Sequence, residues 1–339
     1  MPFTVYARMM HRGDVERRLR NEGVVPVERI YIYRIEMPSV QATFHEYYEN
    51  GLRTVHETVR TPVGEVSATR KVDPNYASWW QVDFYIKRPE DYRVVEFMAR
   101  DTAYRPNYEA FLLAQERWGE DGYVFANTGY SPMNHLIYRW MGVDRFSMDL
   151  HDHPDELFSL YELLREKQRE MFRVCAESPA ELIQYCGNIH QDVVGLNRFE
   201  EYYVPCLNEF ADVVHEQGKL SLCHLDAPLS SLATAVAESR IDVIDIEAFT
   251  PVPDGDMTVQ EARQAWPDKV LWVNFPSSVH IEAPERIHQE TLNILHQAAP
   301  GESFLVGITE DIPESVWRSS LGMISQTISE HGALPMAAV

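Results

Sequence analysis

The chain has 339 residues, 45% apolar and 11% aromatic, with 30 Lys and Arg against 52 Asp and Glu for a formal net charge of −22. That length suits one large α/β barrel or two medium domains, and so negative a surface repels phosphate backbones, which excludes nucleic acid as an expected partner. No run approaches the roughly 20 apolar residues of a membrane-spanning helix, and Cys175, Cys186, Cys206 and Cys223 show neither CxxC spacing nor a disulfide-like framework.

The opening stretch, MPFTVYARMMHRGDVERRLR, lacks the apolar core of a secretory signal, and acidic residues follow its arginines, unlike a transit peptide. A cytoplasmic setting with no membrane partner is the expectation. RIYIYRIEM reads as a strand. LRTVHETVRTPVGEVSATRKV alternates β-branched and polar residues around Pro62-Val63-Gly64, the pattern of a β-hairpin, and SWWQVDFYI reads as a further strand. Trp79, Trp80, Phe84 and Tyr85 in that stretch read as core in preference to an aromatic wall.

Beyond about residue 105 apolar runs alternate with helical periodicity. The runs are YVFAN (123–127), ELIQYC (181–186), KLSLCHL (219–225), IDVIDIEAF (241–249), VLWVNF (270–275) and SFLVGI (303–308). DELFSLYELLREKQREMFRVC and FEEYYVPCLNEFADVVHEQG carry helical spacing, the second ending at Gly218, a natural C-cap. PERIHQETLNILHQA and PESVWRSSLGMISQTISEHG each open on a proline, expected in the first helical turn. In HDHPDE (151–156), Asp152 or Asp155 reads as a cap for the helix that follows rather than as a metal ligand.

The last five strands start at 181, 219, 241, 270 and 303, spaced 38, 22, 29 and 33 residues apart, which is one βα unit each. Nearly continuous apolar strands separated by helices argue for buried parallel β-structure. No GxGxxG or GxxxxGK[ST] turn follows any of them, so a nucleotide-binding sheet lacks its best support. The expected fold is a (β/α)8 TIM barrel in one domain, with residues 1–100 as an N-terminal hairpin and helical elaboration and 101–332 as most of the barrel. The first two barrel strands must come from the N-terminal third.

A barrel of this class works at the carboxyl ends of its strands. Those ends carry Asn127, Thr128 and Tyr130; Asn188, His190, Gln191 and Asp192; His224 and Asp226; Glu247 and Thr250; Asn274 and Ser277; and Thr309, Glu310 and Asp311. His224 and Asp226 alternate along one strand and so face the same way, with Cys223 turned to the opposite side. Histidine and carboxylates are competent zinc ligands, and Glu247 and Glu310 from neighbouring strand ends extend the candidate set. Two readings stand side by side. His224, Asp226, Glu247 and Glu310 hold a metal, or Asp226 hydrogen-bonds His224 and the pair moves protons.

Several stretches together resemble the uroporphyrinogen decarboxylase-like superfamily: HETVRTPVGEV, IKRPEDYRVVEFMARDT, FEEYYVPCLNEFADVVHEQGK, LCHLDAPL, IEAFTPVPDGDMT, WVNFPSSVH and GITEDIP, from about residue 55 to about residue 331. The resemblance implies a (β/α)8 barrel enzyme. True decarboxylases carry an arginine-rich RQAGR-type stretch near the N-terminus, which MHRGDVERRLR does not match. The corrinoid-dependent methyltransferase branch binds zinc with an HxC pair and a cysteine on the last strand. Here those positions read His224-Leu225-Asp226 and Glu310, so both sulfurs are exchanged for oxygen, which suits an oxygen-bearing substrate better than a thiol. By that resemblance the expected activity is methyl transfer from a small methoxylated or methylated substrate to a corrinoid protein. His224, Asp226 and Glu310 would be catalytic, zinc would be held by these three with Glu247, and cobalamin would ride on a separate partner. Asn127, Tyr130, Asn188, His190 and Asn274 would orient the substrate, and a homodimer fits the class. The alternatives are a metal-free lyase or decarboxylase, and a non-catalytic barrel that binds a tetrapyrrole or corrinoid.

Overall fold

The computed structural model describes residues 1–72, 79–226, 228–244 and 249–336. Its strands are β1 (Phe3–Tyr6), β2 (Val24–Tyr31), β3 (Tyr33–Glu36), β4 (Gln41–Glu49), β5 (Leu52–Thr61), β6 (Gly64–Val72) and β7 (Trp79–Asp83) in the first third. They continue with β8 (Ala103–Pro106), β9 (Tyr123–Asn127), β10 (Leu182–Ile189), β11 (Leu220–Leu225), β12 (Val243–Ile244), β13 (Val270–Asn274) and β14 (Phe304–Ile308). The chain divides into two compact units, residues 1–32, 107–129 and 176–339 in one and residues 33–106 and 130–175 in the other.

The first unit is a (β/α)8 TIM barrel. Strands β1, β2, β9, β10, β11, β12, β13 and β14 pair in that order, all parallel, and β14 closes back on β1. Each barrel strand is covered by helices outside and neighbouring strands' side chains inside, so both faces are dry. Val124, Phe125, Ala126, Ile183, Tyr185, Leu222, Cys223, Leu271, Val273, Val306 and Ile308 are all buried for that reason. Residues 1–100 therefore do not form a single elaboration: β1 and β2 are barrel staves, and the chain leaves the barrel unit only at Tyr33.

Opposite the catalytic rim, buried lysines tie the strand entries together. Lys269 Nζ donates to the carbonyls of Ser239 and Ile241, both at 2.8 Å, and burial holds its ammonium below the usual lysine range. Lys219 Nζ donates in the same way to the carbonyls of Ala176 and Ser178. Carbonyl acceptors of this kind offset the desolvation of a buried ammonium.

The helices mostly begin and end where the spacing places them. Pro284–Ala298 has Pro284 in its first turn, and Pro154–Ala176 follows the expected periodicity. Three local details differ. The last helix spans Trp317–His331, so Pro313 sits ahead of it, its carbonyl accepting from the amides of Val316 and Trp317. The FEEYY segment is a π-turn (Phe199–Tyr203) leading into the helix Val204–His215, because Pro205 cannot donate to the usual acceptor one turn back. In HDHPDE, Asp152 ends one helix and Asp155 lies inside the first turn of the next, so neither is the N-cap; Asp155 and Glu156 instead complement the helix dipole.

The second unit holds an antiparallel sheet in the order β4-β5-β6-β7 and a two-stranded antiparallel pair, β3 with β8. The hairpin β5–β6 turns at Pro62-Val63 as the alternation predicts, with Thr61 paired to Gly64 and the Thr61 hydroxyl donating to the Gly64 carbonyl at 3.0 Å. Gly64 has φ +151, and a Cβ there would meet Val94 Cγ2 at 3.0 Å, which leaves little room for another residue. SWWQVDFYI contributes β7, but Trp79 and Trp80 are 38% and 42% exposed rather than core. β4 was not legible in advance: all nine of its residues are exposed, so it is held by its ladder to β5 instead of by burial.

One buried histidine makes stability depend on pH. His280 is 3% exposed, its Nδ1 lies 2.6 Å from Ser320 Oγ, and burial lowers its pKa to about 4, partly offset by Asp254. The folded state thus binds fewer protons than the unfolded chain between about pH 4 and about pH 6.5. Stability is full above about 6.5 and falls with pH through that window, by on the order of 3 kcal/mol for this residue. Urea midpoints measured from pH 7 to pH 4 should show the fall, and His280→Gln, which can still bond Ser320, should flatten it.

Candidate active site

The carboxyl ends of the barrel strands present a connected set of polar side chains. His224, near the end of β11, is buried, with its side chain 9% exposed, and its Nε2 lies 3.0 Å from Asp226 Oδ1. The Asp226 side chain is 31% exposed, and its backbone N–H donates to the Ile189 carbonyl at 2.9 Å, which anchors the loop to β10. An alternating pair at the end of a parallel strand is thereby locked face to face, histidine behind and carboxylate in front.

β10 beside it is irregular. Its register with β11 shifts between Tyr185 and Ile189, and Cys186 (φ +69) and Asn188 (φ +55) both lie in the left-handed region. Asparagine tolerates that conformation; a buried cysteine does so only where its surroundings impose it. The bulge turns Asn188 outward, exposed on the same side of the barrel as the loop that follows. His190 is the N-cap of the short helix Gln191–Val194, its Nδ1 accepting from the Asp192 amide at 3.3 Å, so the ring has an assigned structural bond.

Asn274 and Asn127 are likewise engaged inside the protein. Asn274 is buried; its Nδ2 donates to Thr250 Oγ1 at 3.2 Å, and its Oδ1 accepts from the Thr309 amide and hydroxyl, both at 3.2 Å. Asn127 Oδ1 accepts from the Gly129 amide at 3.0 Å, and Thr128 bonds the Gln184 carbonyl. Asn274 thus fastens the ends of neighbouring strands, while Asn127 holds the turn after its own strand. Tyr130 belongs to the second unit, where its carbonyl accepts from Gln168 at 2.6 Å and its ring stacks beneath Arg139 at 5.2 Å. Glu310 follows β14 and is exposed.

The metal reading was tested on the donors themselves. His224 Nε2 and Asp226 Oδ1 are chemically suitable, yet among the described residues no group of three or more His, Cys, Asp and Glu side chains comes together closely enough to hold an ion. Glu247 lies outside the described residues. The described donors do not complete a zinc centre of three protein ligands, and no chemistry is derived through one.

Two features of the rim were missed by sequence reasoning. The first is Asp256, in the PVPDGDMT stretch. Its carboxylate accepts from the Leu229 amide (2.8 Å), the Ser230 amide (3.2 Å) and the Ser230 hydroxyl (2.5 Å), while Gln191 bridges it to Ser231. Burial pushes this carboxyl up, but the hydrogen bonds from Ser230, Leu229 and Gln191 outweigh it and hold the group below its ordinary range. It ties the loops after β10, β11 and β12. Asp256→Ala should raise amide hydrogen exchange at Leu229 and Ser230 about ten-fold, as loss of charge-assisted bonds implies, with little change elsewhere in the barrel.

The second is a cationic edge supplied by the first two strands. Arg29 reaches from β2 to Gln184 Oε1 at 3.4 Å and lies 5.6 Å from the Tyr6 ring. Arg8, just past β1, pairs with Asp311 at 2.7 Å and also donates to the Thr309 carbonyl. With Glu28, Arg117 and Trp118 they line a cavity of about 540 Å³. Below this edge Trp272 Nε1 donates to Thr4 Oγ1 at 2.7 Å, and Phe125 meets Trp272 edge to face. The signal was faint: β1 is four residues long, and the strand read in RIYIYRIEM covers only the end of β2, whose start carries Pro26.

The family model for uroporphyrinogen decarboxylase matches residues 82–329. Among solved structures, a methyltransferase from Methanosarcina mazei superposes with a TM-score of 0.52 at 12% identity, covering 76% of this chain and 73% of its own. A broad-specificity endoglucanase from an uncultured bacterium reaches a TM-score of 0.42 at 8% identity over 66% of this chain and 76% of that one. The first shares the barrel fold; the second is too loose a match to carry an argument. No curated protein sequence matches the chain. Among the described residues no helix is long and apolar enough to cross a membrane.

Proposed function

The chain belongs to the uroporphyrinogen decarboxylase family, and from that premise we propose that it is a barrel enzyme transferring a methyl group from a small methoxylated or methylated substrate to a corrinoid carried by a partner protein. The observation that carries the reading is the His224–Asp226 pair, its imidazole Nε2 and carboxylate Oδ1 in contact at 3.0 Å at the strand end where this fold does its chemistry. In a methoxylated donor the C–O bond breaks, the methyl group goes to the corrinoid acceptor, and the leaving oxygen must gain a proton. The pair is suited to deliver it. Asp226 is the more accessible member and meets the substrate; His224, buried behind it, positions the carboxylate and returns a proton to it. That division of labour reverses the roles suggested by residue type alone. The name of the Methanosarcina methyltransferase agrees with the reading, as do the carboxylates at the HxC and last-strand positions.

The test mixes the full chain with a reduced corrinoid protein and a panel of methoxylated and methylated small molecules, following the cobalt absorbance. Methyl-dependent oxidation of the cobalt supports the proposal. A second reading, which the same His224–Asp226 pair also suits as a proton-moving device, is decarboxylation without a corrinoid. Release of CO2 from a carboxylated substrate with no corrinoid present would establish that reading instead.

A further inference from the structure

The second unit contains a cavity of its own. About 320 Å³ in volume, it is enclosed entirely by residues of that unit, with Ile35, Val59, Met98 and Leu164 among its apolar walls. That volume lies at the small end of the range of roughly 300–1,000 Å³ in which proteins hold small molecules. One side of the lining is polar: Arg70, Arg139, Lys167, Glu57, Tyr85 and His135.

The cations are not equivalent. Arg70 Nη1 lies 3.5 Å from Glu57 Oε2, and the same carboxylate also accepts the Tyr85 hydroxyl. Lys167 Nζ pairs with Glu170 at 3.2 Å. Arg139 is different: its guanidinium lies 4.2 Å from the Trp79 ring and 5.2 Å from the Tyr130 ring, and among the described residues it has no carboxylate or hydrogen-bond acceptor. Ring contacts occupy the faces of a guanidinium, whereas its five N–H donors radiate in the plane. A cation held by its faces at a cavity wall keeps its edge for an acceptor that the described residues do not provide. His135 beside it adds no charge of its own, since burial, helped by Arg139, lowers its pKa to about 4 and leaves it neutral near pH 7.

We propose that this cavity is a binding site for a small apolar monocarboxylate, aromatic or branched, whose carboxylate takes the edge of Arg139 and whose body lies against Trp79, Met98 and Leu164. The guanidinium edge matches a carboxylate in a two-pronged geometry, and the apolar wall selects against acetate-sized anions. The site does not depend on the chemistry assigned to the barrel.

Isothermal titration of the full chain with benzoate, benzamide and acetate tests it. Benzoate should bind, with benzamide and acetate each at least ten-fold weaker, as expected when either the charged contact or the buried ring is removed. Arg139→Gln should weaken benzoate at least ten-fold while circular dichroism shows an intact fold, and Arg139→Lys, which keeps the charge but not the fork, should fall between. Trp79→Leu should weaken it as well. His224→Gln should leave benzoate affinity unchanged, which separates this site from the barrel pair. The proposal is overturned if benzoate shows no binding at millimolar concentration, if benzamide binds as well, or if both Arg139 variants bind like the native chain.

Discussion

Asp226→Asn, His224→Gln and the double variant should all slow methyl transfer to nearly the same level, each by about 10²–10⁴-fold, the usual range for loss of general acid–base catalysis. The reason is that the two side chains form one device, the 3.0 Å contact joining a buried imidazole to an accessible carboxylate. Breaking either end disables the unit, so the second substitution has little left to remove. Rates are read from the cobalt absorbance at saturating donor, with KM determined separately. If the single losses multiplied in the double variant, the residues would act independently. If Asp226→Asn alone retained the native rate, Asp226 would not be the acid.

Asp149→Asn should destabilise the second unit by about 3–5 kcal/mol, the cost of stranding one partner of a buried ion pair. Asp149 is 1% exposed; its Oδ2 accepts from Arg145 Nε at 2.9 Å and the Tyr92 hydroxyl at 2.7 Å, and Arg145 Nη2 lies 2.6 Å from Oδ1 in the ion pair. Removing its charge leaves the Arg145 guanidinium, itself only 19% exposed, beside a neutral amide. Tyr92→Phe removes one neutral donor and should cost about 1 kcal/mol. Substituting all three with apolar residues of similar volume should restore much of the loss, because a buried ion pair offsets little more than its own desolvation. Urea midpoints followed by tryptophan fluorescence give the ranking. An Asp149→Asn midpoint no lower than that of Tyr92→Phe would show that the ion pair is solvated in solution.

Legibility followed burial. Strands β9, β10, β11, β13 and β14 stood out because barrel staves are apolar on both faces, which produces unbroken runs that no surface segment shares. The β5–β6 hairpin stood out for the opposite reason, a half-buried strand that alternates. β4 carried no pattern because it buries nothing. β1 was hidden by its shortness and β2 was legible only at its end, in RIYIYRIEM, although the barrel needed two staves from that region. The chain's division into two units was equally invisible: the residues of the second unit are drawn from two separate stretches, and no composition shift marks where the chain leaves and rejoins.

What the sequence alone determined was the barrel, the polar strand ends at one rim, and the juxtaposition of His224 with Asp226, since period, strand-end polarity and HxD spacing are local properties. What only the tertiary structure decided was which polar side chains remain available there. Asn127, Asn274 and His190 stand at strand ends by position; in space Asn127 holds the turn after its own strand, Asn274 joins neighbouring strand ends, and His190 caps a helix start. Arg139 looked like an ordinary helical arginine, yet it is held between Trp79 and Tyr130, rings 60 and 9 residues away in the chain. A hydrogen-bonding group's partner depends on which atoms reach it in space, and residue type does not encode that.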